Sequence, residues 1–243
     1  TPDVTKEKAT VHVEWEMSKS GKRERTFTVE SPRLWDIDDP HLYSLEIEGE
    51  TFRYGIRTIA FYPDARGFQL NGRRVELKGV CLHHELGVLG AAYNRAAMKR
   101  RFLKLKEAGV NAIRCSHNPE DPDFLDLCDE MGLVVWQDFM VACAVYDLTP
   151  EFEANITAEF IDNLKRIRHH ASLGLMCGNN EMESAILHWG DGKGNLICDG
   201  PLVKEHYLEF YENILPELCG RVAPDVFYWP SSPSNGGNFD DPD

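Results

Sequence analysis

Residues 95–138, RAAMKRRFLKLKEAGVNAIRCSHNPEDPDFLDLCDEMGLVVWQD, decide the fold. Met98, Phe102 and Leu105 fall on one face of a helix. Asn94 precedes it as an N-cap and Gly109 follows as a stop. A short apolar strand from Val110 to Arg114 comes next and runs into a polar cluster, 114–118 (RCSHN). The order then repeats: a helix at about 122–131 ends at Gly132, and a strand from Leu133 to Trp136 runs into WQD at 136–138. Helices alternating with short strands predict a parallel sheet, because parallel neighbours need a crossover connection.

The same order extends outward. Thr149 and Pro150 open a longer helix with Ile156, Phe160, Leu164 and Ile167 on its apolar face. A strand over 172–177 runs into 179–181 (NNE), a helix follows at about 202–218, and Asp225 to Trp229 reads as a fifth strand. On the N-terminal side, Asn71-Gly72 predicts a type I′ hairpin, and 74–80 (RVELKGV) is a strand candidate leading to 83–85 (HHE). No G-x-G-x-x-G or P-loop opens the first helix, which disfavours nucleotide folds. Polar clusters at the C-terminal ends of four strands favour a TIM barrel. Five strands are too few to close eight, and residues 236–243 (GGNFDDPD) read as a loop. The expectation is therefore an incomplete (β/α)8 barrel, about its first five strands, within a longer polypeptide.

Residues 1–62 read differently. Val11, Val13 and Trp15 alternate with His12, Glu14 and Glu16, and residues 25–30, 42–47 and 51–61 offer further strands. Such runs suggest part of a β-sandwich. The expected division is 1–62 for the sandwich part and 63–243 for the barrel part.

Bulk properties exclude several classes. The 243 residues carry 40 acidic against 26 basic side chains, a formal charge of −14. Nucleic acid and anionic membrane are poor partners for that surface, and no apolar run is long enough to span a bilayer. The seven cysteines are scattered without a C-x-x-C pair, so neither a zinc site nor a disulfide framework is expected. Free thiols lean towards a reducing, cytoplasmic setting. Neither the compartment nor the oligomeric state is given by these residues. His169 and His170 read as the end of a helix, where positive charge is favourable.

Glu181 stands out chemically. A carboxyl at a barrel strand end can protonate a leaving oxygen, and the adjacent Asn180 can hydrogen-bond a sugar hydroxyl. Several stretches together carry a family resemblance: 31–47 (SPRLWDIDDPHLYSLEI), 54–58 (YGIRT), 69–84 (QLNGRRVELKGVCLHH), 107–119 (EAGVNAIRCSHNP) and 178–181 (GNNE). The chain resembles glycoside hydrolase family 2, which contains β-galactosidases, β-glucuronidases and β-mannosidases. WQDFM at 136–140 with Ala142-Cys143, and WPSSPS at 229–234, resemble the β-mannosidase branch, whereas SHNP at 116–119 resembles the β-galactosidase branch.

The resemblance implies an immunoglobulin-like sandwich before the barrel and a retaining exo-β-glycosidase that needs no cofactor. It implies Glu181 as acid/base and Asn180 as the contact to the sugar 2-hydroxyl. It places Arg114 near the nucleophile, and His83, His117 and Asp138 along the sugar subsite; Trp136 and Trp229 are candidate stacking platforms. His83 and His84 are adjacent, so at most one points inward. In this family the nucleophile lies on a later strand, expected beyond residue 243. A non-catalytic carbohydrate-binding homologue is the alternative reading, and a folding piece without independent function is a third.

Overall fold

The computed structural model describes residues 3–17, 21–62, 64–144, 146–191, 193 and 201–236. Strands β1 (Asp3–Val4), β2 (Lys8–Met17) and β3 (Gly21–Glu30) form an antiparallel sheet, and β4 (Tyr43–Ile47) pairs with β5 (Glu50–Tyr54). The alternation read from the sequence becomes an inner face. Val11, Val13, Phe27 and Val29 from one sheet meet Tyr43 and Tyr54 from the other around buried Ala9 and Ile56. The Tyr43 and Tyr54 rings stack 5.5 Å apart across β4 and β5. This is sheet-on-sheet packing, each strand contributing alternate residues.

The run 51–61 is not one strand. It breaks after Tyr54, because the chain is pressed against the start of the parallel sheet. A Cβ on Gly55 would lie 2.5 Å from Ala171 Cβ and 2.9 Å from Trp35 Cβ, so only glycine permits that approach. Two residues on, the buried Arg57 guanidinium donates to the carbonyls of Ala171 (2.7 Å) and Leu173 (2.6 Å). Burial lowers its pKa to about 10, which leaves it charged at neutral pH. The chain then makes a third small sheet of β6 (Ile59–Phe61), β7 (Phe68–Leu70) and β8 (Arg73–Arg74). The β7–β8 turn is the expected hairpin, with Asn71 (φ 53°) and Gly72 (φ 73°) both left-handed.

The strand expected over 74–80 is also divided. Val75 turns into an apolar cluster with Trp35, Phe68 and Leu70, and its N–H donates to Phe68 O (3.0 Å). That cluster also covers Ala112 and Val134, which sit at the beginnings of their strands. The next strand therefore starts only at Gly79.

The parallel sheet consists of β9 (Gly79–His83), β10 (Ala112–Ser116), β11 (Val134–Asp138), β12 (Leu173–Asn180) and β13 (Phe227–Ser232). Their spatial order follows the chain order. A doubly wound sheet reverses order at a switch point, so this sequential order is that of a barrel wall. Helices α1 (Arg95–Glu107), α2 (Pro122–Met131) and α3 (Pro150–Ile167) connect the first four strands. A short α4 (Met182–His188), missed by sequence reading, follows β12. Then come α5 (Pro201–Tyr207), a π-helical turn at 208–214 and α6 (Leu215–Val222), where one helix was expected. The caps are as read: Asn94 Oδ1 accepts from Ala97 N–H and Thr149 Oγ1 from Phe152 N–H. Ile113, Cys115 and Val135 face the helices and bury Phe102, Leu125, Phe139 and Phe160 with them. Their neighbours Arg114, Trp136 and Asp138 consequently face the other way, by the two-residue alternation of a strand.

His169 and His170 do not end a helix. α3 stops at Ile167, and buried His170 turns its Nδ1 to Asp129 Oδ2 (2.8 Å). Asp129 Oδ1 accepts from Ser172 N–H (2.7 Å), so this pair fastens the α3–β12 connection to α2.

Gly132 gives a direct test of this packing. It is the left-handed residue closing α2 (φ 65°), and a Cβ there would come 2.4 Å from Ile37 O. Gly132→Ala is expected to destabilise the protein by about 2 kcal/mol or more, combining left-handed strain with a backbone clash. Urea unfolding measures this, and a loss below about 0.5 kcal/mol, the size of an ordinary surface change, would contradict it.

Candidate active site

The polar residues that follow the apolar parts of β10, β11 and β12 converge at one rim. Asp138, the last residue of β11, has a side chain with no exposure to solvent. Its carboxylate is held from three directions. Arg114 donates through Nη2 to Oδ2 (2.8 Å) and through Nε to both oxygens (3.2 Å). His117 Nδ1 bonds Oδ2 (2.8 Å), and Trp136 Nε1 donates to Oδ1 (2.8 Å). A carboxylate partner assigns the His117 proton to Nδ1. The register explains the convergence: Arg114 lies opposite Trp136, two residues before Asp138 on the same face.

Arg114 is the hub. Burial acts to lower its pKa, and Asp138 outweighs that, so the guanidinium is raised and stays charged. Its Nη2 also donates to Asn180 Oδ1 (2.8 Å), and its Cζ lies 5.6 Å from the Trp136 ring centre. His83, the last residue of β9, is exposed and meets His117 edge-on at 5.2 Å. His84 takes another direction and pairs with the buried Glu120 (3.2 Å). Burial raises the Glu120 pKa and the His84 charge opposes that rise.

Strand β12 runs three residues further than its apolar pattern indicated. Gly178 can sit there because it has no side chain; a Cβ would lie 2.4 Å from both Pro230 O and Tyr228 Oη. Asn179 is buried and structural: its Nδ2 donates to Pro230 O (3.0 Å), and its Oδ1 accepts from Ser231 Oγ (2.7 Å) and Met182 N–H (3.1 Å). Asn180, not Asn179, turns to Arg114. Glu181 ends the strand with a left-handed backbone (φ 62°), its N–H bonded to Ser232 O (3.0 Å) and its carbonyl accepting from Ala185 N–H. Glu183 lies deeper, buried and accepting from Tyr207 Oη (3.0 Å).

Residues after β11 come back alongside this end. Ala142 bridges Asn180 in parallel, and Cys143 N–H donates to Asn180 O (2.9 Å). That places Cys143 Sγ 3.2 Å from Glu181 Oε2 and 3.3 Å from Asn180 Nδ2. Sequence reading quoted Cys143 only as part of a branch motif; its nearness to Glu181 depends on 37 residues of intervening chain folding back.

Seven of the eight residues singled out from the sequence thus meet in one region: His83, Arg114, His117, Trp136, Asp138, Asn180 and Glu181. Asp138 is sealed from solvent, so a ligand at this rim would meet the groups it orients. Trp229 sits on β13 beside Cys177 in register, near Phe227 (6.2 Å) and close against Gly236. Away from the rim, two groups among the described residues bring potential metal-ligand atoms within 4.8 Å: His12, Glu14 and Glu24 on the surface, and Asp126, Asp129 and His170. In the second group both oxygens of Asp129 already serve His170 and Ser172.

A parallel sheet in barrel order, with a strand-end carboxyl and a buried ion-pair cluster at its C-terminal rim, is the wall of a TIM barrel with polar groups gathered where such barrels carry their sites. Family comparison is specific. The model of the glycosyl hydrolases family 2 TIM barrel domain matches residues 64–185, and that of glycosyl hydrolases family 2 matches residues 1–57. The chain belongs to glycosyl hydrolase family 2. It is 40% identical over 184 residues to beta-galactosidase BoGH2A of Bacteroides ovatus, covering 70% of this chain and 21% of that protein. It is 33% identical over 250 residues to beta-mannosidase B of Aspergillus clavatus, covering 91% and 29%. The crystal structure of beta-D-mannosidase from Dictyoglomus thermophilum superposes with a TM-score of 0.76 at 29% identity, over 90% of this chain and 29% of that one. The chain therefore spans less than a third of the length of these relatives. Among the described residues, no helix is long and apolar enough to cross a membrane.

Proposed function

We propose that the protein containing this chain is a retaining exo-β-glycosidase that removes terminal β-linked sugars, with Glu181 as its acid/base. The placement of Glu181 carries the reading. It directly follows a barrel strand in a strained left-handed conformation, beside a hydrogen-bonded Arg114–Asp138–Asn180 cluster. Backbone strain of this kind costs about 1–2 kcal/mol and persists where the surroundings over-determine it, commonly at functional sites.

The geometry supports a role for each residue of the cluster. Asn180 Oδ1 is committed to Arg114 and one Nδ2 hydrogen to Cys143 Sγ, which leaves the second amide hydrogen for a sugar hydroxyl. His117, its Nδ1 held by Asp138, presents Nε2, and His83 stands beside it. Arg114 supplies fixed positive charge that would hold a neighbouring carboxylate nucleophile ionised. Trp136 and Trp229 offer aromatic faces to the apolar side of a sugar ring. The nucleophile, a second carboxylate about 5–5.5 Å from the acid, attacks C1 while Glu181 protonates the departing oxygen; Glu181 then takes a proton from the water that releases the sugar.

A β-mannosidase-type substrate is slightly favoured. WQDFM with Ala142-Cys143 supports it, as do mannosidase relatives matched over 91% of the chain. A β-galactosidase-type substrate is the second reading, supported by the higher identity to BoGH2A over a shorter span. The test is turnover by the full-length protein of aryl β-mannoside, β-galactoside, β-glucuronide and β-glucosaminide, with proton NMR of the first sugar released. One β-glycoside cleaved with the β-anomer formed first is expected. Inversion, or no turnover of any of the four, would overturn the proposal.

A further inference from the structure

A line of hydrogen bonds joins Asp138 to Glu181: Arg114 donates to both sides, and from Arg114 onward every bond is donated towards Glu181. A guanidinium only donates, so Arg114 donates both to Asp138 Oδ2 and to Asn180 Oδ1 (each 2.8 Å). That fixes the Asn180 amide with its nitrogen pointing onward, where Nδ2 donates to Cys143 Sγ (3.3 Å). The sulfur thereby serves as acceptor, and its one hydrogen is left for Glu181 Oε2 at 3.2 Å. Burial and the bond to Glu181 both raise the Cys143 pKa above the ordinary thiol value, with Asn180 opposing, so the group stays S–H at neutral pH.

We infer that Cys143 is a positioning residue for Glu181: its thiol occupies Oε2 and reserves Oε1 as the oxygen that gives and takes the proton. The inference rests on the reading of Glu181 as acid/base. A carboxyl has two oxygens and could present its proton from either. With Oε2 accepting from the thiol, the proton resides on Oε1 before bond cleavage. It passes from Oε1 to the glycosidic oxygen as the aglycone leaves as an alcohol. In the second step Oε1 receives the proton of the water whose oxygen bonds to C1 as the bond from C1 to the nucleophilic carboxylate breaks and that carboxylate leaves with the bonding electrons. The sulfur itself exchanges no proton and forms no bond to substrate. Its place is set by backbone contacts: the Ala142–Asn180 bridge, the Cys143 N–H bond to Asn180 O, and a left-handed φ of 53°.

The experiment uses the full-length protein and its best aryl glycoside with a poor leaving group. Cys143→Ala is expected to lower kcat about tenfold while KM stays within about twofold, since a bond that orients the catalytic carboxyl is lost. Cys143→Ser, which keeps a short donor, should recover most of that loss. Methylthiolation of the wild-type thiol removes the S–H in the folded protein and should reproduce the kcat loss, while leaving Cys143→Ser unaffected. An unchanged kcat in Cys143→Ala, or a serine variant no better than alanine, overturns the inference. These results are separable from failure of the underlying reading, which would show as full activity in Glu181→Gln.

Discussion

Glu181→Gln in the full-length protein is expected to lower kcat/KM by about 10²–10⁴-fold on aryl β-glycosides with poor leaving groups, the range supplied by a positioned general acid. Glutamine preserves shape and hydrogen bonding but has no proton of suitable acidity to give. The loss should shrink as the leaving group improves, because an activated phenolate departs without protonation. It should return in the second half-reaction, where a base must activate water. In Glu181→Ala, added azide should intercept the glycosyl-enzyme without base assistance and restore turnover as a glycosyl azide. Wild-type rates for Glu181→Gln on a poor leaving group would end this assignment. The backbone at residue 181 should be unaffected, since its contacts to Ser232 O and Ala185 N–H are main-chain bonds.

The second large effect is on stability. Asp138→Asn should destabilise the protein by about 3 kcal/mol, the lower end of the cost of breaking a buried ion pair. The carboxylate is sealed from solvent, whereas the Arg114 and His117 side chains keep 19% and 22% exposure, so water partly compensates the stranded partners. Three side chains lose an ionised acceptor at once: Arg114, His117 and Trp136. The amide NH₂ would also oppose at least one of those donors. Chemical unfolding measures the difference, and a loss under about 1 kcal/mol would mean that the cluster is weakly held. A double-mutant cycle with Arg114→Met should give strong coupling, since the two groups share one network. Activity should fall as well, through Arg114 and Asn180.

Much of the fold was legible because the signals are local. Asn94, Gly132 and Thr149 mark helix ends through their own side chains or backbone freedom, and the apolar spacing of α1 and α3 follows from helical geometry alone. The parallel sheet followed from the alternation of strands and helices, and its sequential order from the barrel reading of the polar strand ends. Glu181 was legible because a polar triplet after an apolar strand marks the C-terminal rim of a barrel.

Other features were hidden because their causes lie elsewhere in the chain. Residues 178–180 look like a loop, yet they complete β12: Pro230, Ser231 and Ser232 on β13 supply the partners that make a buried Gly-Asn-Asn stable. The run 74–80 alternates like one strand but divides where Val75 is drawn under the sheet. His83 and His84 are chemically alike; adjacency sends them apart, but which one takes which direction goes with distant partners, His117 beside His83 and Glu120 on His84.

Taken by itself, the sequence determined the alternation of strands and helices, the barrel class and Glu181 as the candidate strand-end carboxyl. These depend on periodicity, capping and family motifs, all of which are properties of short stretches. Only the tertiary structure decided that Asp138 is an internal anchor, that Asn180 rather than Asn179 turns to Arg114, and that Cys143 lies against Glu181. Each of those outcomes is a side chain's choice between alternative partners, and a buried polar group takes the geometry in which its hydrogen bonds are satisfied. The partners that satisfy it come from strands brought side by side, a distance relation that no local pattern encodes.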